Sequence, residues 1–298
     1  MLIQCRKQIM KMKKKICLIT GANAGIGRAT ALGLAELGAT LILACRNKKE
    51  GEETIKELSE ISQTNKHKLL LVNLQDFNSI RKCVDEFKVH FKKLDVLINN
   101  AGAFFTELDF TNNNIERQFA VNHLAPFLLT HLLIDSLLKS ESGRIINLSS
   151  SSHYWGKIYF DDLYFENNKY KGLRVYEQSK LANVLFTYRL AILLKKTGIT
   201  VNCVDPGGVN THIGNKNSSG MYKFLWNLKK PLLISPKKGA STSIYLASSN
   251  KVSCITGKYF FKCNPKKSSK RSYNKSLSKR LWHLSEELVD IKTSNYII

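Results

Sequence analysis

The chain has 298 residues, of which 43% are hydrophobic and 23% are charged. This composition is close to that of an average globular protein, and it excludes a collagen-like, low-complexity or mainly disordered chain. The unusual quantity is a net charge of +23, from 46 Lys and Arg residues against 23 Asp and Glu residues.

The excess positive charge is concentrated at the two ends of the sequence. Residues 1–15 contain six basic residues and no acid, and residues 206–285 contain 16 basic residues and no acid. A strongly basic surface attracts phosphates, anionic lipid or nucleic acid, so a peripheral contact with an anionic membrane is one interpretation. Compositional drift toward lysine is the other. We expect no nucleic-acid partner, because the sequence contains no known nucleic-acid-binding motif.

The cysteines indicate the compartment. There are seven, an odd number, and they include no C-x-x-C pair. This pattern argues against a disulfide framework or a metal site and predicts a reducing, intracellular location.

We expect no transmembrane helix and no N-terminal membrane anchor, because the apolar run after the basic start covers only residues 16–19. The cytoplasm, a peripheral membrane site and the mitochondrion all stay open, as does the oligomeric state.

Short apolar runs alternate with helix-like stretches along the chain. Continuously apolar runs are typical of parallel strands that are covered on both faces, and the repeated β-α-β order predicts a doubly wound α/β sheet. The predicted strands are 16–20, 40–44, 68–72, 94–99, 144–148, 200–204 and 258–261. The predicted helices are 26–37, 48–62, 78–91, 112–140 with a break near Pro126, 175–196, 236–248 and 279–289.

One domain is expected to fill most of the chain, at residues 16–262. Basic extensions precede it at 1–15 and follow it at 263–298, the second containing the last short helix. Residues 208–235 interrupt the alternation after a strand's carboxyl end, and we expect them to form a lid over a ligand crevice. An ordinary surface helix is the alternative for this segment. Residues 262–279 are interpreted as a basic loop.

Glycines mark the first strand-to-helix turn. Their spacing predicts a tight turn at Gly21, a close backbone approach to a pyrophosphate at Gly25, and close helix packing at Gly27. The N-terminus of the following helix would then supply N–H donors to the phosphates. Together with the alternating elements, this turn predicts a single-domain Rossmann-type fold that binds a dinucleotide.

The end of the second predicted strand bears on the choice of dinucleotide. An NAD site has a carboxylate there for the ribose 2′-hydroxyl, whereas this chain has Ala44, Cys45 and Arg46. Arg28 and Arg46 could both face a 2′-phosphate, which guanidinium groups bind well. We therefore expect NADP(H) rather than NAD(H). A solvent-facing position is the alternative for Arg28.

A tyrosine and a lysine lie four residues apart in the predicted helix 175–196. Tyr176 and Lys180 therefore share one helix face. A nearby ammonium group lowers the pKa of a tyrosine, and such a tyrosine can give a proton to a carbonyl oxygen or take one from an alcohol. The same spacing also fits an amphipathic helix. Polar or glycine-containing turns that end three predicted strands, at 99–102, 147–152 and 206–211, favour the site.

In this order, these motifs resemble those of the short-chain dehydrogenase/reductase superfamily, over about residues 15–212. The resemblance implies that Tyr176 is the acid/base, that Lys180 lowers its pKa and binds nicotinamide ribose, and that Ser150 polarises the substrate oxygen. Asn122 would keep a helix irregular and hold a relay water. The cofactor-binding residues that it implies are Gly21, Asn23, Gly25, Ile26, Gly27, Arg28, Arg46, Asn73, Leu74, Asn100, Ala101, Gly102, Tyr176, Lys180, Pro206, Gly207, Val209 and Thr211.

A narrower resemblance is to the retinol dehydrogenase branch, through ITGANAGIG, LACR, INNAG, VNHLAPFLLT, QSKLANVLF, TGKYF and RLWHLSEELV. It implies NADP(H)-dependent interconversion of retinal and retinol, or of other lipophilic aldehydes or ketones and their alcohols. A reductase of steroid or xenobiotic carbonyls would carry the same catalytic residues. A non-catalytic binding protein on this fold is a further alternative, which the intact Ser-Tyr-Lys set disfavours.

Three positions depart from the family pattern. Asn73 replaces an Asp that contacts adenine, and an Asn side chain can still accept a hydrogen bond. Ala125 and Pro126 replace a Gly-His pair, which could reshape the helix after Asn122. Glu177 follows the tyrosine where the family has a small neutral residue, so its charge either faces solvent or opposes the effect of Lys180.

Overall fold

The computed structural model describes residues 11–167, 169–210 and 233–293. Its strands form one sheet in the order β3-β2-β1-β4-β5-β6-β7-β8. The first seven are parallel, and the eighth pairs antiparallel with the seventh. The strands are β1 (Ile16–Thr20), β2 (Thr40–Cys45), β3 (Lys68–Leu71), β4 (Val96–Asn99), β5 (Arg144–Leu148), β6 (Thr200–Asp205), β7 (Lys258–Phe261) and β8 (Asn264–Lys266).

Helices cover both faces of the sheet, which confirms the doubly wound α/β prediction. Successive side chains of a strand point to opposite faces, so Leu18 joins one buried cluster while Cys17 and Ile19 join the other. Burial on both faces is the reason for the continuously apolar strands. The helices are α1 (Gly25–Ala35), α2 (Lys48–Ser62), α3 (Phe77–His90), α4 (Arg117–Leu138), α5 (Gly172–Leu193), α6 (Pro236–Ser248) and α7 (Lys275–Leu288).

The irregularity predicted near Pro126 takes the form of a π-helical turn at Ala120–Leu124, and α4 continues through it. Proline has no N–H to donate to the carbonyl group four residues earlier, so a wider turn just before Pro126 accommodates it. By length and composition, α4 could also cross a membrane. However, 83% of its most apolar window is buried inside the protein, as in the core helix of a soluble domain.

The interpretation of residues 262–279 as a loop is wrong. Lys262 and Cys263 have φ values of 50° and 64°, and they form the two-residue turn of a hairpin between β7 and β8. Positive φ at both central positions defines a type I′ turn, for which Asn and Gly are the usual residues. Lysine and cysteine are unusual in such a turn, so the sequence contains no signal for it. The hairpin crosses the predicted domain boundary at 262–263, so β8 extends the same sheet.

Two helices begin earlier than their periodicity predicts. α5 begins at Gly172 instead of residue 175. α7 begins at Lys275 instead of residue 279, because the Asn274 side chain accepts a hydrogen bond from the Leu277 amide and caps the helix. A short 3₁₀ turn, Lys270–Tyr273, immediately precedes this cap.

Gly27 allows the close contact between α1 and the turn that follows β1. A Cβ atom at this position would lie 2.3 Å from the Gly21 carbonyl oxygen and 2.4 Å from Asn100 Nδ2. We expect Gly27→Ala to lower the free energy of unfolding by about 1–3 kcal/mol, because a backbone atom cannot move aside. Gly33→Ala in the same helix is the control, since its Cβ would meet the mobile end of Ile244. Urea unfolding measures both, and equal effects would contradict this interpretation.

Candidate active site

A cleft of about 730 Å³ lies at the carboxyl ends of β1, β2 and β4. The strand order reverses between β1 and β4, and this is the position at which open parallel sheets bind nucleotides. Eleven of the predicted cofactor residues line the cleft: Gly21, Asn23, Gly25, Ile26, Gly27, Arg46, Asn73, Leu74, Asn100, Ala101 and Gly102.

The glycine turn has the backbone shape that a phosphate site requires. Gly21 and Gly25 have φ values of 64° and 53°, in the left-handed region that favours glycine. α1 begins at Gly25 after Ala24, which provides no side-chain cap. The first N–H groups of α1 therefore have no side-chain acceptor from the cap and can serve a bound anion. Asn100 holds the turn in place by donating from Nδ2 to the Thr20 carbonyl oxygen over 2.8 Å.

The two predicted phosphate-binding arginines occupy different places. Arg46 lines the cleft after β2. Arg28 forms an ion pair with Glu57 of α2 and is not part of the described lining. The cleft also contains an acid that the sequence interpretation did not consider, Glu50, which accepts a hydrogen bond from Asn23. A positive side chain, Arg46, and a negative one, Glu50, therefore both lie beside the end of β2.

The predicted catalytic residues meet where α5 packs on the end of β5. Lys180 Nζ lies 5.3 Å from the centre of the Tyr176 ring, and the Ser150 hydroxyl is close enough to act on the pKa of Tyr176. Ser149 donates from Oγ to the Lys180 carbonyl oxygen over 2.8 Å, and Asn183 donates to the Leu148 carbonyl oxygen over 3.0 Å. These two bonds hold α5 against β5.

Asn122 lies in the π-helical turn, as the resemblance implies for an irregular helix. Its Nδ2 donates to the Ala103 carbonyl oxygen at 2.9 Å and to Ser179 Oγ at 3.1 Å, and its Oδ1 accepts from the Ala103 amide at 2.7 Å. Ser179 in turn donates to the carbonyl oxygen of Tyr176. Asn122 thus ties the loop after β4 to the catalytic helix. Its role in holding a relay water stays a prediction.

Burial dominates the electrostatics of the Tyr-Lys pair. It raises the pKa of Tyr176 to about 12, although the Ser150 hydroxyl acts in the opposite direction. It lowers the pKa of Lys180 to about 8. In this structure the Tyr176 pKa is therefore raised rather than lowered as expected, because the Lys180 ammonium does not offset the cost of burying a phenolate.

Asp205 is a residue of this site that the sequence interpretation missed. Its buried carboxylate ends β6, where Oδ2 accepts from the Tyr259 hydroxyl and Oδ1 from the Gly207 amide, both over 2.8 Å. The charge of Asp205 raises the pKa of both Tyr176 and Lys180. The available signal was an acid directly before the Pro206-Gly207 turn.

The predicted lid is described only at its two ends. Asn210 donates from its amide to the Ile234 carbonyl oxygen over 3.0 Å, and Ile234 donates to the Gly208 carbonyl oxygen over 2.9 Å. Residues 211–232, including the predicted cofactor residue Thr211, lie outside the described residues. Pro206, Gly207 and Val209 follow β6, and none is part of the described cleft lining.

The fold and the glycine-lined cleft define a Rossmann-type, dinucleotide-binding α/β protein. The family model for short chain dehydrogenases matches residues 15–221, and the chain belongs to this family. It is 40% identical to retinol dehydrogenase 12 of Mus musculus over 278 residues, which are 93% of this chain and 87% of the relative. It is 39% identical to retinol dehydrogenase 14 of Homo sapiens over 295 residues, 94% of this chain and 88% of the relative.

Solved structures show the same fold. An uncharacterized protein from Mycobacterium paratuberculosis matches with a TM-score of 0.77 and 29% identity, over 96% of this chain and 97% of that one. A short chain dehydrogenase from Escherichia coli CFT073 in complex with NADPH matches with a TM-score of 0.69 and 23% identity, over 87% and 99% of the two chains. The chain is therefore a nicotinamide-dependent oxidoreductase of the retinol dehydrogenase branch.

The alkaline limb of the pH profile tests the role of Asp205. Lys180 is protonated below its pKa of about 8, so kcat/KM for carbonyl reduction is expected to be high below this pH and to fall above it. Asp205→Asn removes a charge that favours the ammonium, so the limb should move to lower pH. Tyr259→Phe keeps the carboxylate and should leave the limb in place. An unchanged limb in Asp205→Asn would rule out this coupling.

Proposed function

We propose that the protein transfers a hydride between NADP(H) and a lipophilic carbonyl or alcohol, with retinal and retinol as the leading substrate pair. The meeting of Ser150, Tyr176 and Lys180 at the cleft edge of the sheet is the observation that carries this proposal. The left-handed glycines and the uncapped start of α1 fit a dinucleotide. When bound, the reduced nicotinamide supplies the hydride.

Side chains of the protein then bind the substrate oxygen and donate a proton to it. The Ser150 hydroxyl holds the carbonyl oxygen by a hydrogen bond, and Tyr176 donates its phenolic proton to that oxygen as the carbonyl carbon is reduced. A tyrosine whose pKa is raised to about 12 is protonated at neutral pH, which suits the role of acid in reduction. The Lys180 ammonium stabilises the phenolate that remains. In alcohol oxidation, the same proton returns to Tyr176.

The NADP(H) preference rests on the end of β2. Arg46 lines the cleft there, where an NAD site would have a carboxylate. Glu50 lies in the same lining, but its hydrogen bond with Asn23 gives the carboxylate a partner of its own. Arg28 would have to leave Glu57 to reach a phosphate, so we assign it a smaller contribution than Arg46 to binding of the 2′-phosphate.

Aromatic side chains beside the reacting groups support a lipophilic substrate. The Phe104 ring meets Tyr176 edge to face, with ring centres 5.8 Å apart, and Phe104 and Phe105 both line the cleft. The names of the relatives favour a retinoid over a steroid or a xenobiotic carbonyl. The proposed location is a reducing, intracellular compartment, in agreement with the free cysteines of the described residues, of which Cys254 is exposed.

Removing the Tyr176 hydroxyl separates an enzyme from a binding protein. We expect Tyr176→Phe to lower kcat for all-trans-retinal by about 10²–10⁴-fold, the usual contribution of a general acid. NADPH binding, followed by its fluorescence, should persist. Tyr188→Phe on the same helix is the matched control, because its hydroxyl bonds Ser268, which is not one of the proposed catalytic residues. NADPH binding without turnover in the wild type, for retinal and a panel of steroid and other carbonyls, would favour the binding-protein alternative.

Cofactor choice can be tested at the two arginines. Arg46→Ala should weaken NADPH binding by about tenfold or more, because one charge-assisted hydrogen bond is lost. NADH binding should change little, since NADH has no 2′-phosphate. Arg28→Ala should have a smaller effect on NADPH, because Arg28 is already paired with Glu57. Calorimetric titration gives all the constants, and equal losses for NADPH and NADH in Arg46→Ala would refute the assignment.

A further inference from the structure

Trp155, an exposed tryptophan, follows the proposed catalytic residue Ser150 closely in the sequence. The 3₁₀ turn Ser151–Tyr154 follows Ser150, and Trp155, the next residue, is 69% exposed. A large aromatic side chain left in water forgoes much of the free energy that burial would supply. One exposed apolar side chain is common on protein surfaces, so Trp155 is informative only together with the groups around it.

The backbone around Trp155 is held rigidly against the C-terminal part of the chain. The buried His153 ring donates from Nδ1 to the Ser150 carbonyl oxygen over 2.7 Å, and its Nε2 accepts from the Ser269 amide over 3.1 Å. Arg271 donates to the Gly156 carbonyl oxygen over 3.0 Å. Trp155 is therefore presented on an ordered support, next to residues 266–271.

Exposed cations lie on the segment 266–271, which is hydrogen-bonded to the residues on either side of Trp155. Lys266 Nζ lies 5.7 Å from the centre of the Tyr154 ring, and the Tyr154 hydroxyl donates to the Lys267 carbonyl oxygen. A second aromatic ring, Tyr273, is 53% exposed, and its hydroxyl accepts a hydrogen bond from the Ser268 amide over 3.1 Å. The Trp155 surface is defined here as Trp155, Lys157, Lys266, Lys267, Lys270 and Arg271, all of them exposed.

The charge of the Trp155 surface is hardly balanced by acids. The segments 142–160 and 206–285 contain no Asp or Glu. Of the acids on neighbouring elements, Asp161 is paired with Arg280 at 3.8 Å. Glu177 of α5 is half-buried, with its backbone packed against Gly156. A net positive surface with a protruding indole ring remains.

We propose that the Trp155 surface docks on an anionic lipid bilayer. Tryptophan is favoured at the boundary between headgroups and hydrocarbon, where its ring is apolar and its N–H stays hydrated. Lysine and arginine beside it attract anionic headgroups, with about a fivefold gain in binding for each charge near the membrane. Docking does not require the proposed function, but it would place the Ser150 end of the site next to the phase in which lipophilic substrates dissolve.

Sedimentation with vesicles tests the docking. The full chain should bind vesicles of phosphatidylcholine with about one third phosphatidylserine, bind poorly to phosphatidylcholine alone, and be released by salt. Trp155→Ala should weaken binding. The triple variant Lys266→Gln, Lys267→Gln, Lys270→Gln should weaken it on the order of 100-fold, from three charges of about fivefold each. The matched control, Lys82→Gln, Lys88→Gln, Lys92→Gln, removes the same charge from exposed positions elsewhere.

Three outcomes would overturn the proposal: equal binding to neutral vesicles, equal losses in the two triple variants, or displacement from vesicles by a single-stranded oligonucleotide that binds the Trp155 surface more tightly. Reduction of a water-soluble aldehyde, measured without vesicles, should be the same in all variants. That assay keeps a failure of docking distinct from a failure of the proposed function. Unchanged thermal unfolding of each variant confirms that the fold is retained.

Discussion

The burial of the Lys180 ammonium between the ends of β5 and β6 is the constraint on which the site depends. A charge removed from water is costly unless polar groups replace its solvent. Here the Leu148 carbonyl oxygen lies 3.5 Å from Nζ, and the Asp205 carboxylate acts from the next strand. This compensation is partial, so the pKa of Lys180 falls to about 8. A lysine held in this state can lose or regain its proton near neutral pH.

The same burial explains why α5 must be anchored to the sheet at Lys180 and just after it. Side-chain bonds from Ser149 and Asn183 reach between the end of β5 and α5. Further along the sheet, Asn99 donates to Asn147 over 2.8 Å, at the level where β4 and β5 are in register. Since parallel strands end at one edge, this register brings the cofactor cleft and the Ser-Tyr-Lys set to the same edge of the protein.

The proposed membrane contact begins at that edge as well. Ser150 contributes its side chain to the proposed chemistry, and its carbonyl oxygen accepts a hydrogen bond from His153. His153 is in turn bound by the amide of Ser269. One short segment thus links the reacting groups to the basic hairpin and to the turn that follows it. Part of the net charge of +23 therefore lies on the Trp155 surface, which this segment connects to the site.

The sequence by itself determined the parallel sheet, the glycine turn and the Tyr176–Lys180 pair, because hydrophobic periodicity and helix spacing are local properties. Only the tertiary structure decided which polar groups share a buried space. Asp205 acts on Lys180 from the end of β6, Arg28 meets Glu57 instead of the cleft, and burial raises the pKa of Tyr176. The β7–β8 hairpin also escaped prediction, because strand pairing holds Lys262 and Cys263 at positive φ against their own preference. Desolvation and the pairing of distant strands depend on residues far apart in the chain, so no local sequence pattern predicts them.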